Sequence, residues 1–223
     1  GGALSLDQFT SLEEESLKTF EANLPVLDGW MSSLLVCGAE EERVLEKLLE
    51  DEGIDIAMRL SEGILVITGA AGAMERAEAA LRGVGAVVKR IVPSYPYHWR
   101  GLAPLAKEME SRLLERFLPT APSLAVHSSL GAKVYPDNPR EVIKHVCHVP
   151  FSPLDISGQI LSLAEAGHKI FVEVGPGHSF TSFLRRELRG REYYAVPLDY
   201  HAGDGRRQWS DLLSALGRLY CLG

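Results

Sequence analysis

Phe171-Val172-Glu173-Val174-Gly175-Pro176-Gly177-His178-Ser179-Phe180-Thr181 is an apolar run that breaks at a Gly-Pro-Gly turn and restarts in a segment opened by Ser and Thr. Period and punctuation predict a strand Ile170–Val174, a tight turn, a helix Thr181–Leu188 and a second strand Tyr193–Leu198. Working upstream, the pattern gives a helix from about Ala103 to Phe117 and a Pro-bounded strand Ser123–Ser128. A Pro/Asp/Asn-rich loop at 135–139 follows, then helices Arg140–Val146 and Leu154–Ala166. Strands alternating with helices in this way describe an α/β layer with parallel strands.

Further upstream, residues 32–92 carry a second pattern. Strand Ser33–Cys37, helix Glu40–Glu52, strand Ile54–Leu60, a turn at Ser61-Glu62-Gly63, strand Ile64–Thr68, helix Ala71–Val84 and strand Ala86–Val92 follow one another. This order, βαββαβ, is the split-βαβ or ferredoxin-like unit. Val44, Leu45, Leu48 and Leu49 in one helix, and Met74, Ala77 and Leu81 in the other, fall on one helical face, with Glu and Arg at the outer positions. Residues 2–28 read as a helical segment with an acidic middle, Glu13-Glu14-Glu15, opened by a capping box of Ser5 and Gln8 and ended by Pro25 and Gly29. At the other end, a hydrophilic turn from His201 to Arg207 precedes an amphipathic helix Trp209–Tyr220. The chain is thus expected to divide into 1–31, 32–92, 93–200 and 201–223.

With 223 residues, 46% of them apolar and 24% charged, the chain can bury a core of globular size. Its apolar runs are far too short to cross a bilayer, and an odd, widely spaced set of cysteines, Cys37, Cys147 and Cys221, fits a reducing, cytoplasmic compartment. The cysteines read as small buried apolar residues. A net charge of −7 argues against nucleic acid and anionic membranes as partners. Arg185, Arg186, Arg189 and Arg191 supply a candidate basic patch for an acidic protein partner, against the simpler reading of a solvated helix face.

Two constellations read as structural. His145-Val146-Cys147-His148 offers metal-ligand types, but adjacent positions on a helix point apart and no second cluster completes a tetrahedron, so no metal is expected. Gly69-Ala70-Ala71-Gly72-Ala73 follows a strand and opens a helix, yet has neither a dinucleotide nor a P-loop spacing.

Five segments resemble, in order, the malonyl/acyl-CoA:acyl-carrier-protein acyltransferase domains of polyketide and fatty acid synthases. Gly2-Ala3-Leu4-Ser5-Leu6-Asp7 is similar to the stretch shortly after that family's nucleophilic serine. Tyr95-Pro96-Tyr97-His98 is similar to its four-residue motif ending in the catalytic histidine, Val149-Pro150-Phe151 to its Pro-Val-Arg/Glu-Phe, and Glu173 to Gly177 to its Glu-Val-Gly-Pro-Gly. Trp209 to Gly223 is similar to the linker after the domain. The resemblance implies an α/β fold. It would comprise a ferredoxin-like small subdomain and the C-terminal half of an α/β-hydrolase-like large subdomain, starting just downstream of the nucleophile. It also implies no bound cofactor, with acyl-CoA and phosphopantetheine as substrate carriers. The implied partners are an acyl carrier protein, a neighbouring ketosynthase and an N-terminal acyltransferase half.

On that resemblance His98 is the general base, suited by an ordinary imidazole pKa near ~6.5. Tyr95, Tyr97, Gly175 and Gly177 contribute to substrate binding, and Arg185, Arg186 and Arg189 to carrier-protein contact. No Gly-x-Ser-x-Gly elbow occurs in the sequence. Gly177-His178-Ser179-Phe180-Thr181 fails at its last position, and Ser179 reads as a helix N-cap. Where malonyl-selecting members hold an arginine that clamps the free carboxylate, the register places Ser16 behind three glutamates. Tyr97 is bulky where methylmalonyl-type members are small, and Trp99 replaces a serine. The leading expectation is an acyltransferase segment whose serine comes from elsewhere. The alternative is a non-catalytic scaffold that docks a carrier protein, a ketosynthase or a trans-acting acyltransferase. A hydrolase using Ser179 with His98 is a third, disfavoured by the failed elbow.

Overall fold

The computed structural model describes residues 5–23, 28–36, 38–50, 53–92, 95–117, 119–202, 205 and 207–223. These fall into two compact units, 1–156 and 157–223.

The first unit opens with α1 (Leu6–Asn23), whose capping box forms as expected: Ser5 N–H donates to Gln8 Oε1 at 2.9 Å and Gln8 N–H to Ser5 Oγ at 3.2 Å. Then come β1 (Gly29–Leu35), α2 (Ala39–Leu49), β2 (Ile54–Ser61), β3 (Ile64–Ala70), α3 (Ala71–Gly83) and β4 (Val87–Arg90). The strands pair antiparallel in the order β4-β1-β3-β2, which is the pairing the βαββαβ unit demands. The expected ends at Cys37 and Glu52, and the breaker Pro25, lie outside the described residues. Leu34, Ile54 and Ile67 of the sheet pack against Leu45 of α2 and Met74, Ala77 and Leu81 of α3. Gly69 is where backbones meet most closely: a Cβ there would lie 2.0 Å from the Gly53 carbonyl oxygen. Gly69 is therefore a packing requirement of the strand-to-helix turn.

One outer position on α3 is not outer at all. Glu78 is 4% exposed, and its carboxylate accepts from Trp30 Nε1 at 2.7 Å, Ser32 Oγ at 2.6 Å and Arg82 Nη2 at 3.0 Å. Burial pushes its pKa up, but the Ser32, Trp30 and Arg82 donors, with Arg90 nearby, win and hold it below the ordinary value.

The sheet continues with a fifth strand. The expected helix Leu154–Ala166 yields its first two residues to β7 (Leu154–Asp155), which lies parallel to β2 at Met58 and Arg59. The open edge of β2 offers unpaired backbone groups, and taking them up outweighs two more helical residues. Helix α6 is Ile156–Glu165.

Between β4 and β7 lie a 3₁₀ turn Arg100–Leu102, α4 (Ala103–Arg116), the short antiparallel pair β5 (His127–Ser128) and β6 (Lys133–Val134), α5 (Pro139–His148) and a 3₁₀ turn Val149–Phe151. The predicted strand Ser123–Ser128 shrinks to its last two residues, His127 and Ser128, which pair antiparallel with Val134 and Lys133. Leu12 of α1, Leu102, Met109 and Leu113 around α4, Ile143 and Cys147 of α5, and Phe151 make a second core.

The second unit holds β8 (Ile170–Pro176), α7 (Ser179–Glu187), β9 (Tyr194–Asp199) and α8 (Gln208–Leu222). β8 and β9 are parallel, as the crossover through α7 requires. Ile170, Val172 and Val174 of β8 stay exposed, Val174 by 81%, although parallel strands normally have both faces covered.

Candidate active site

Tyr97 and His98 sit where the layers of the first unit converge. Tyr97 packs against the core of α1, α4 and α5 and also against Met31, Ala57 and Val66 on the sheet face opposite α2 and α3. His98 follows in the left-handed region, φ +58°, an uncommon state for a residue with a side chain. The turn Val149–Phe151 holds it there. His98 N–H donates to Pro150 O at 2.8 Å, and ring Nδ1 lies 2.8 Å from Val149 O and 3.2 Å from Ser152 O. Both ring partners are carbonyls, which only accept, so Nδ1 carries the proton and Nε2 keeps its lone pair. Burial pushes the His98 pKa down and outweighs the opposing effect of the two carbonyls. The ordinary value expected from sequence is therefore corrected downward. The half-buried ring is a neutral imidazole at neutral pH, fixed in one tautomer.

The residue after next is also held. Arg100 N–H donates to Asp55 Oδ2 at 2.9 Å and Arg100 Nε to Asp55 Oδ1 at 2.6 Å, with Nη2 joining the same oxygen. Asp55, the second residue of β2, is 3% exposed. Nothing in the sequence pattern singles it out, since an Asp between two isoleucines reads as the solvent face of a strand.

Next to Tyr97 opens a cavity of about 370 Å³, walled by Leu12, Glu13, Ser16 and Leu17 of α1 and by Met109, Tyr135, Val146 and Val149. Of the three glutamates only Glu13 lines it. Glu15 turns to Lys18 at 2.8 Å and Arg116 at 2.6 Å, and those partners hold its pKa down. Ser16 donates back to Leu12 O at 2.9 Å, and no Lys or Arg is among the described lining residues. Burial raises the Tyr97 and Tyr135 pKa values, so both phenols stay neutral. Tyr95 is more exposed and meets Tyr97 edge to face, centroids 5.9 Å apart. Trp99 packs on the α4 core, its indole Nε1 buried without a partner.

In the second unit, Glu173 performs the task sequence reading gave to Ser179. Its carboxylate accepts from Phe180 N–H at 3.0 Å, Thr181 N–H at 2.9 Å and Thr181 Oγ1 at 2.8 Å. The residue at the N-cap is His178, and Ser179 begins the helix, so the reading of Ser179 as N-cap is overturned. The Glu173 carboxylate, in the middle of β8, reaches the first turn of α7 across the Gly-Pro-Gly bend, satisfying its orphan donors and its dipole. Gly177 sits at φ +90°, which only glycine adopts readily, and donates to Asp199 O at 2.8 Å. Gly175 lies just before it at the end of β8. Thr181, at the failing elbow position, is 1% exposed and committed to Glu173.

Of the arginines, Arg185 and Arg186 end α7 and Arg189 lies beyond it. The structure brings Arg185 together with Arg218 of α8, which the sequence reading missed, in a cavity of about 360 Å³. Tyr200, His201 and Asp211 also line it, with His201 Nδ1 2.9 Å from Asp211 Oδ1. Among the described residues no group of three metal-ligand side chains comes together. Cys147 is buried and its thiol is pushed up to about 12 by burial, whereas Cys221 is exposed against expectation.

No protein-family model matches the chain. The malonyl CoA-acyl carrier protein transacylase of Haemophilus influenzae is 25% identical over 191 residues, 83% of this chain and 59% of that protein. The polyketide biosynthesis protein ThaF of Burkholderia thailandensis is 29% identical over 198 residues, 82% of this chain and 17% of that protein. The chain thus spans no more than 59% of either relative. Among solved structures, the acyltransferase domain of SpnD in complex with 2-(pent-4-yn-1-yl)malonyl superposes with a TM-score of 0.84 at 23% identity, covering 98% of this chain and 51% of that one. A malonyl-transacylase in complex with a type II polyketide synthase acyl-carrier protein gives 0.80 at 22%, covering 97% of this chain and 67% of that one. The sequence relatives and structural neighbours of this mixed α/β chain are malonyl-CoA:acyl-carrier-protein transacylases and polyketide synthase acyltransferase domains, and its fold is theirs.

Proposed function

We propose that these residues are the histidine-bearing part of an acyltransferase that moves an acyl group from coenzyme A to the phosphopantetheine thiol of an acyl carrier protein. The observation that carries the reading is His98: its Nδ1–H is committed to Val149 O and Ser152 O, so Nε2 is free to take a proton. A serine hydroxyl would lose its proton to Nε2 as its oxygen attacks the thioester carbonyl. The carbon–sulfur bond breaks, an ester forms, and the imidazolium returns the proton to the departing thiolate. The carrier thiol reverses the sequence and regenerates the serine. Since the 223 residues contain no Gly-x-Ser-x-Gly, the nucleophile is assigned to a segment outside them. The exposed apolar side chains of β8 support this, as helices of a further segment packed on that face would cover them.

The cavity beside Tyr97 is the acyl pocket in this reading. Apolar Leu12, Leu17, Met109 and Val146, with Glu13 and no cation among the described lining residues, favour an acyl chain without a free carboxylate over malonyl. Arg185, Arg186 and Arg189 serve the acidic carrier. A flanking ketosynthase would meet the stripe Trp209, Leu213, Leu216 and Tyr220 exposed on α8.

Intact-mass measurement tests the proposal. Incubated with butanoyl-CoA, the 223-residue chain should gain no covalent acyl group. A preparation that also contains a nucleophile-bearing N-terminal segment should gain one, and His98→Ala should abolish it. An adduct on the chain alone, or one unaffected by His98→Ala, refutes the reading. A carrier protein that binds with no adduct in any combination would favour the docking scaffold.

A further inference from the structure

We propose that Asp55 is a positioning residue for His98, fixing the imidazole tautomer from strand β2 through Arg100. The proposal rests on reading His98 as the proton acceptor of acyl transfer and adds the element that sets its geometry.

His98 is gripped from two sides, and both grips lead to the same strand. On one side, Val149, Pro150 and Ser152 hold the ring and the backbone, and two residues later Leu154 and Asp155 pair with Met58 and Arg59 of β2. On the other, the backbone and guanidinium of Arg100 close on the Asp55 carboxylate, three residues before Met58 on β2. The segment that carries His98 and the turn that holds its ring are thus both fastened to residues 55–59 of one strand. Between the clamps sits a residue at φ +58°, a conformation that persists only where its surroundings over-determine it.

The chemistry of Asp55 fits a function beyond ordinary stabilisation. A carboxylate 3% exposed at the start of a strand costs desolvation energy unless fully hydrogen-bonded. Here it is satisfied by Arg100, whose own side chain is 71% exposed, and by the N–H that opens the turn Arg100–Leu102. An apolar residue at position 55 would fill the same space against the sheet face. What it could not do is hold the first turn of the segment leading into α4 at a fixed distance from β2. Released at Arg100, the 98–100 loop can relax from positive φ, and Nδ1 would then lose its alignment on Val149 O.

The test needs no catalysis. Ring ¹⁵N chemical shifts of the histidine-labelled 223-residue protein at pH 8 report which nitrogen carries the proton, with His98→Gln assigning the resonances. Wild type is expected as the Nδ1–H tautomer. Asp55→Ala should raise the Nε2–H fraction about fivefold, the bias carried by roughly one net hydrogen bond. Asp55→Asn, which still accepts from Arg100 N–H, should fall between the two. If Asp55→Ala does not fold, the comparison of Asp55→Asn with wild type decides. Folded Asp55 variants that melt earlier yet keep the wild-type tautomer overturn the proposal, since a purely structural contact would lower stability and leave the ring unchanged. Failure of acyl transfer to a supplied nucleophile, with the tautomer shifting as expected, would count against the acyl-transfer reading alone.

Discussion

Introducing Ser16→Arg should turn the cavity beside Tyr97 from one that disfavours a carboxylate into one that binds it. In the native protein Ser16 offers that space no donor, because its hydroxyl is spent on Leu12 O at 2.9 Å, and Glu13 contributes negative charge. A guanidinium on the same face of α1 can give a carboxylate two parallel charge-assisted hydrogen bonds, together worth about 1.5–3 kcal/mol net, or roughly 10–150-fold in affinity. Glu13, one helical turn earlier, competes for the new cation, but such a pair is worth only about 0.2–0.5 kcal/mol where water reaches it. The malonyl gain should therefore survive in Ser16→Arg and grow in the Glu13→Gln/Ser16→Arg double variant. The assay is titration of the 223-residue chain with the N-acetylcysteamine thioesters of malonate and butanoate, followed by the Met109 methyl resonance. The butanoyl-to-malonyl preference should invert by at least about tenfold. An unchanged ratio in a folded double variant would show that α1 does not wall the acyl site.

Other expectations follow from individual groups. Glu78→Ala strands the buried donors of Trp30 and Ser32 and should cost about 2–5 kcal/mol in denaturant unfolding; a loss under about 1 kcal/mol would mean the network is not formed. Glu173→Ala removes the acceptor of two amides and a hydroxyl at the start of α7, costing about 1–2 kcal/mol. Hydrogen exchange of Phe180 and Thr181 should quicken, and protected amides there would contradict the capping. His98, whose folded pKa lies below its unfolded value, favours the native state above about pH 6.5. That contribution is lost as pH falls through the lowered folded value, so His98→Gln should flatten the stability profile on the acid side. Equal slopes in variant and parent would show that the ring is not buried as described.

Most of the architecture was legible because it depends on period and punctuation. The βαββαβ order, the Ser5–Gln8 box and the strand-turn-helix at Glu173–Thr181 are local patterns, and the chain folds them where they are written. His98 and Tyr97 were legible only as a motif, because a loop histidine carries no periodic signal. The errors share one cause. Ser179 is the residue type that caps helices, yet an anion from the preceding strand arrives first, at 2.9–3.0 Å from the amides of Phe180 and Thr181. Glu78 has the polarity of a surface position, yet three donors from β1 and from α3 itself make burial tolerable. Leu154 and Asp155 could continue a helix, yet the edge of β2 recruits them.

The sequence by itself determined the βαββαβ order, the apolar faces of its helices and the absence of a serine elbow, since each is a property of neighbouring residues. Only the tertiary structure decided which nitrogen of His98 is free, that Asp55 rather than a neighbour holds its loop, and that Glu13 faces the cavity while Glu15 turns to Arg116. These depend on groups from 45 to 101 positions apart in the chain meeting within hydrogen-bonding distance, and side-chain chemistry read along the sequence carries no information about such encounters.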